Sequence, residues 1–276
     1  MKNTVAIQGI QGSFHHIVAD NYFANSLEVL PCETFDALVS QLLEGKTDIA
    51  VMAIENSIAG SIIPNYALID TNDLQIVGEY YLDIQHHLMA LEGQSISDIK
   101  EVHSHPMALL QCKEFFKMHP HIKLVEARDT ADVARKISEE NITGIGAIAS
   151  EKASGLFGLP IVAESIQTIK HNETRFVIIQ KINPEKSEDE SKNKASLKFE
   201  LSSKRGSLAT VLNVMSDCRL NLTKIQSLPI IATPWKYSFF VDVTFEAYSD
   251  FEKAKSLLNL MAENFKVLGV YKNARL

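Results

Sequence analysis

Short apolar runs, each closed by a glycine or hydroxyl turn and followed by a helix-length segment, recur from the start of the chain. This alternation constrains the fold more than any single motif. Val5-Ala6-Ile7-Gln8-Gly9 reads as a short buried strand, and Gln11-Gly12-Ser13-Phe14 leads into a helix through roughly Ala24. Leu27 to Leu30 is a second strand, Thr34 caps a helix to Leu43, and Ile49 to Ala53 is a third strand. For such a βαβαβ opening the default is a mostly parallel sheet with right-handed crossovers. The turn from Gly9 to Ser13 leaves backbone N–H groups unpaired at a helix start, which suits an anion; it is also how α/β units ordinarily begin. Its glycine spacing is not that of a dinucleotide fingerprint.

Beyond the third strand lies a polar knot, Glu55-Asn56-Ser57-Ile58-Ala59-Gly60-Ser61, where ligands gather in open parallel sheets. Asn56 supplies donors and an acceptor and Ser57 a hydroxyl, although Asn, Ser and Gly also make ordinary capped turns. Leu74 to Leu91 reads as one or two long strands. His86 and His87 are adjacent there and so face opposite ways, one packed and the other solvated. Ile99 to His103, Ile122 to Glu126 and Gly144 to Ala149 are further strands. Pro106 after Ser104 marks a helix start, and Gln111 lies two turns beyond Ser104. Asp129 or Thr130 caps the next helix. Ser104, Thr130 and Ser150 therefore all stand where a strand gives way to a helix, and three such starts suit one anionic ligand.

His171-Asn172-Glu173-Thr174-Arg175-Phe176 runs into apolar Val177-Ile178-Ile179. Thr174 and Arg175 set a hydroxyl and a guanidinium at the mouth of a buried strand, a pair suited to a small anionic substrate. A strand-opening Thr beside an ion-paired Arg is the plainer reading. Residues 1–181 are expected to form two α/β lobes, one from about 1–80 with 160–181 and the other from about 81–159. Residues 182–194 are charged and lack periodicity, as a linker does. Residues 195–276 then give strand, helix, strand, strand, helix, strand, the βαββαβ order of ferredoxin-like domains.

A net charge of −7 over 276 residues gives no electrostatic footprint for nucleic acid. No apolar run reaches the ~18 residues of a membrane span, and the opening lacks a signal-peptide core, so the expected address is cytoplasmic. Cys32, Cys112 and Cys218 are far apart, so buried thiols are expected in place of disulfides or a metal site.

Together Glu55-Asn56-Ser57, the Ser104-His105-Pro106 to Gln111-Cys112 segment, Thr174-Arg175-Phe176 and the C-terminal unit resemble a monofunctional prephenate dehydratase. The likeness covers essentially the whole chain. It implies an α/β fold: a two-lobed periplasmic-binding-protein-like catalytic domain followed by a ferredoxin-like βαββαβ ACT regulatory domain. It implies conversion of prephenate to phenylpyruvate without metal or cofactor. Thr174 would be the essential hydroxyl and Arg175 a carboxylate ligand, with Asn56, Ser57, Ser104, Gln111, Ser13, Thr130 and Phe176 around the substrate. Phenylalanine would act at Gly206, Ser207 and Leu208, opposite Asn221, Leu222 and Ile225, at a subunit interface of a homodimer or homotetramer. Two departures stand out. His15-His16 interrupts the opening motif, and Gln226-Ser227-Leu228-Pro229 replaces the family's ESRP. No helical chorismate mutase segment precedes Val5, so a second activity is not expected. Two rivals remain: arogenate as substrate, and a carboxylate-sensing module, which would need the capped helices but not Thr174.

Overall fold

The expected alternation is present from the first strand. In chain order come β1 (Thr4–Gln8), α1 (Phe14–Phe23), β2 (Glu28–Cys32), α2 (Phe35–Leu43), β3 (Ile49–Asn56), β4 (Gly60–Ser61), α3 (Ile63–Thr71) and β5 (Leu74–Asp83). The structure, a computed structural model, describes residues 4–24, 28–183, 189–202, 204–230 and 233–275. Leu27 of the expected second strand and 184–188 of the expected linker lie outside the described residues. β1 pairs in parallel with both β2 and β3, so α1 and α2 are the crossovers that parallel pairing requires. Val5, Ala6 and Ile7 are wholly buried, as a strand covered on both faces must be.

The next block is β6 (His87–Met89), β7 (Glu101–Ser104), α4 (Pro106–Gln111), α5 (Lys113–Lys117), β8 (Lys123–Glu126), α6 (Thr130–Glu139), β9 (Ile145–Ala149), α7 (Glu151–Phe157) and β10 (Ile161–Ala163). It forms a second sheet in the order β10-β6-β9-β7-β8. β7 runs parallel to β8 and β9, whereas β6 is antiparallel to β9 and β10. The chain returns to the first sheet at β11 (Glu173–Lys181), whose order is β2-β1-β3-β11-β5 with β4 on β3. The expected long stretch from Leu74 is thus two strands, broken at 84–86. His86 and His87 are both buried, which corrects the expectation that one is solvated. The reason is the break itself. His86 sits outside a strand, its N–H donating to Gln167 Oε1 and its carbonyl accepting from Ile166 N–H, so strand alternation does not govern it.

The C-terminal elements are β12 (Lys194–Glu200), α8 (Ser207–Asp217), β13 (Asn221–Pro229), β14 (Tyr237–Thr244), α9 (Tyr248–Met261) and β15 (Glu263–Tyr271). Their sheet has the order β13-β14-β12-β15 with antiparallel pairing, the ferredoxin-like arrangement. By packing, the chain divides into two compact units. One holds the residues up to Gly60 with Tyr81–Phe176; the other holds Ser61–Tyr80 with Val177 onward. In the second unit, Ala195, Leu197 and Phe199 of β12 pack with Val211, Met215, Phe251 and Leu258 of the helices. Alternate residues Lys194, Ser196 and Lys198 take the other face, also buried. There Lys194 Nζ pairs with both oxygens of Glu79 at 2.9 and 2.8 Å, and Ser196 bonds Asp242 and Tyr271. Among the described residues no helix is long and apolar enough to cross a membrane.

Candidate active site

The site is built from the end of β3. Asn56 turns the chain there: its Oδ1 accepts from Ile58 N–H at 3.0 Å and Ala59 N–H at 2.9 Å. Ser57 brackets Glu173, its N–H donating to the Glu173 carbonyl at 2.8 Å and its Oγ accepting from Glu173 N–H at 3.0 Å. These bonds pin the end of β3 to the start of β11. They also fix the amide of Asn56, because two backbone N–H groups can only face its oxygen. Asn56 Nδ2 therefore points at Thr174 Oγ1, 2.8 Å away, and at Asn172 Oδ1, 2.7 Å away. Asn172 in turn donates from Nδ2 to Gln111 Oε1 at 2.9 Å, and His86 Nε2 lies 2.9 Å from the same oxygen.

The sequence reading named Asn56, Gln111 and Thr174, and the structure joins them in one relay. It missed Asn172 and His86. Asn172 carried a signal, standing two residues before Thr174 and hence on the same face of an extended segment. Asn172 is wholly buried and Thr174 8% exposed, whereas Asn56 and Gln111 are half-buried. Thr174 Oγ1 is an acceptor in this relay, so its own proton remains for another partner, and no described residue takes it. Gln111 likewise keeps its amide nitrogen without an acceptor among the described residues.

Helix starts gather at the other end of the relay. Phe14, the first residue of α1, meets the His86 ring edge-on with centroids 5.5 Å apart. Ser13 caps α1 by accepting from His16 N–H, and Gly12 N–H donates to His16 Nδ1 at 2.9 Å. Ser150 caps α7 and donates to the Gly12 carbonyl at 2.6 Å. Asp129 caps α6, accepting from Asp132 N–H at 2.8 Å. Its other oxygen would lie 2.6 Å from a Cβ on Gly9, whose φ of +87 already requires glycine. Burial raises the Asp129 carboxyl, against the pull of the Asp132 and Ala131 amides. The sequence marks Asp129 only as a possible cap.

Burial also lowers two imidazoles. His15 falls to about 3, and its Nε2 accepts from Ala53 N–H at 3.2 Å. His86 falls to about 4, the Gln111 bond only partly offsetting burial and the field of His87 and His105. Both are neutral. His16 is lowered by burial and by Lys152, against Asp20, to which Lys152 is paired.

Several expectations are corrected. Arg175 follows Thr174 directly in β11, so alternation sends its side chain to the opposite face, and the two do not open side by side; Arg175 is buried. Ser104 ends β7 and is wholly buried, its hydroxyl donating to the Ile148 carbonyl at 2.7 Å; it braces two strands, and α4 is capped instead by His105 Nδ1. Since Ser104 is not helical, its two-turn spacing to Gln111 does not explain their placement. Thr130 is the first residue of α6 and not its cap. Phe176 shares the Thr174 face but is core, packed edge-on to His15 with centroids 4.9 Å apart.

In the C-terminal unit Gly206 has φ +86 at the start of α8, with open space where a Cβ would stand. Ser207 Oγ donates to the Lys204 carbonyl, and Leu208 packs on the core. Asn221 and Ile225 face outward on β13, while Leu222 faces the core. Among the described residues no group of three or more His, Cys, Asp or Glu converges as a metal site.

Two open sheets with an oriented relay that reaches the Thr174 hydroxyl suit an α/β enzyme acting on a small substrate. A family model described as prephenate dehydratase matches residues 5–184. Arogenate dehydratase/prephenate dehydratase 2, chloroplastic, of Arabidopsis thaliana is 37% identical over 279 residues, spanning 97% of this chain and 72% of that one. The prephenate dehydratase of Arthrobacter aurescens, solved in complex with L-Phe, superposes with a TM-score of 0.88 at 26% identity, covering 99% of this chain and 90% of that one. GqqA, described as a novel type of quorum quenching acylase, has the same TM-score and identity over 99% of this chain and 98% of its own. The chain belongs to the prephenate dehydratase family, and it is a lyase of phenylalanine biosynthesis.

Proposed function

We propose that Thr174 hydrogen-bonds the departing ring hydroxyl of prephenate, or relays a solvent proton to it, in the conversion to phenylpyruvate. The ring carboxylate leaves as carbon dioxide, the C–O bond breaks, and one proton joins the hydroxyl to give water. The aromatic ring that forms supplies the driving force. The protein has to place the leaving hydroxyl beside a donor and hold the carboxylates. The observation that carries this reading is the Asn56 bond to Thr174 Oγ1, which occupies an acceptor site and leaves the hydroxyl proton for a partner other than Asn56. A Thr hydroxyl is a weak acid, so placement does most of the work; effective concentration contributes ~7 kcal/mol or more in well-oriented reactions. Gln111 Nε2 serves a carboxylate near the positive end of α1; at the turn before that helix the N–H groups of Gly9, Gly12 and Ser13 are themselves taken by the Cys32 carbonyl, His16 Nδ1 and the Ile10 carbonyl.

The C-terminal unit is read as an ACT domain that binds phenylalanine at Gly206, Ser207 and Leu208 between subunits of a homodimer or homotetramer. Support comes from the ferredoxin-like order, the open Gly206 turn and the outward Asn221 and Ile225. The relative solved with L-Phe points the same way. The three cysteines are unpaired, in keeping with a cytoplasmic address. Arogenate stays as the second substrate because the Arabidopsis relative carries both names. Incubating the purified protein with prephenate or arogenate, with and without phenylalanine, tests all of this by phenylpyruvate absorbance and amino-acid analysis. Phenylpyruvate from prephenate, suppressed by phenylalanine, is expected. Turnover of arogenate alone, or a flat response to phenylalanine, would overturn the corresponding part.

A further inference from the structure

The relay has a direction, and following it outward assigns a role to a buried histidine that the reaction itself does not touch. Ile58 and Ala59 N–H groups fix the Asn56 oxygen; Asn56 Nδ2 then fixes the Asn172 oxygen; Asn172 Nδ2 then fixes the Gln111 oxygen. Each amide has only one orientation left once its predecessor is set. At the end stands His86 Nε2, 2.9 Å from an oxygen that can only accept. His86 must therefore carry its proton on Nε2. Its Nδ1 is then a bare acceptor, and it is buried with no hydrogen-bond partner. His86 is 4% exposed, its ring edge-on to Phe14 and its backbone tied to Gln167 and Ile166. A second proton on Nδ1 would find no acceptor, so the ring is locked in one tautomer and one charge state.

We propose that His86 is a positioning residue for Gln111, donating through Nε2–H so that the carboxamide oxygen stays inward and its nitrogen is presented to the substrate. Two donors, Asn172 and His86, then occupy both lone pairs of Gln111 Oε1, and the amide group faces the substrate as a pure donor. With the His86 donor removed, Asn172 still selects the oxygen, but it holds the amide by a single contact and the placement of the nitrogen loosens. An unpaired buried nitrogen is a standing cost, of the kind retained where orientation matters. This inference rests on the reading that Gln111 meets the substrate.

The test is kinetic and spectroscopic, on the full chain with prephenate. His86→Leu is expected to lower kcat/KM ~10-fold or more, about what one buried hydrogen bond supports, with the same division between KM and kcat as Gln111→Ala. His86→Gln, whose amide can stand where Nε2–H stood, should recover most of the loss. In the Gln111→Ala background His86→Leu should add nothing, since it acts only through that side chain. Ring nitrogen NMR of the unsubstituted protein, labelled at histidine, should show one Nε2–H tautomer unchanged from about pH 8 to about pH 5.5, as a pKa near 4 requires. That measurement stands even if a leucine variant does not fold. An Nδ1–H tautomer, a titration near neutrality, or additive losses in the double variant would overturn the proposal. Full activity in Gln111→Ala would instead overturn the reading of Gln111, a distinguishable failure.

Discussion

Asn56 Nδ2 donates to Thr174 Oγ1 across 2.8 Å, joining the end of β3 to the start of β11. A threonine that accepts this bond has its single proton left over. Thr174→Val keeps the shape and removes the donor; turnover of prephenate should fall ~100-fold or more, the usual scale for a positioned proton donor, with the thermal unfolding profile little changed. Thr174→Ser should retain turnover within about 10-fold of the unsubstituted protein, since the hydroxyl survives on a looser side chain. Steady-state kinetics on both variants checks this, and a valine variant with normal kcat removes Thr174 from the reaction.

Orientation is tested separately by Asn56→Asp. The new carboxylate would have no donor to offer Thr174 Oγ1 or Asn172 Oδ1, and it would draw the threonine proton inward, away from the substrate. The Ile58 and Ala59 N–H groups would still hold one oxygen, so the turn should survive. The expected outcome is a loss in kcat comparable to that of Thr174→Val, about 100-fold, with folding retained. A variant that keeps kcat would show that the direction of the relay does not matter to the reaction.

Most of the fold was legible because it follows period and capping. The strand-turn-helix rhythm of Val5 to Ala53 and the βαββαβ order of the C-terminal unit are each written in local sequence. Asn56, Gln111 and Thr174 were legible as polar residues at strand and helix ends. What failed were inferences about direction. Thr174 and Arg175 are neighbours in sequence and for that reason face apart. Ser104 looks like a cap, but its hydroxyl found the Ile148 carbonyl of a strand that arrives much later in the chain. His86 carried no signal at all, because its role depends on Gln111 and Asn172, which only the folded chain brings to it.

Glu79 and Lys194 make a buried ion pair, both side chains nearly sealed from water, with Ala274 N–H also donating to Glu79 Oε1. Removing one partner takes from the other the counter-ion of this pair while it stays desolvated. Glu79→Gln or Lys194→Met alone should destabilise by about 3–5 kcal/mol, whereas Glu79→Leu combined with Lys194→Met should recover a good part of that. Urea unfolding of the three variants checks it. Equal losses in the singles and the double would mean that the charges themselves, and not their mismatch, hold this face together.

Acid should weaken the catalytic unit through its buried imidazoles. His15 accepts from Ala53 N–H with its ring against Phe176, and burial holds its pKa at about 3; His86 sits at about 4. Both values lie below the ~6.5 of an unfolded chain, so below that pH the unfolded state binds more protons. Stability is therefore full above ~6.5 and is lost as pH falls through the window down to those depressed values. At pH 5 each imidazole costs about 2 kcal/mol relative to neutral pH, from a gap of ~1.5 units at 1.36 kcal/mol each. His15→Gln offers Ala53 N–H a carboxamide oxygen that does not titrate. Its loss of stability between pH 7.5 and pH 5 should be smaller than that of the unsubstituted protein by about 2 kcal/mol, read from urea midpoints at the two pH values. An unchanged pH dependence would show that His15 is charged in the fold, and a buried imidazolium at that position would have no acceptor for the proton it gains on the nitrogen facing Ala53.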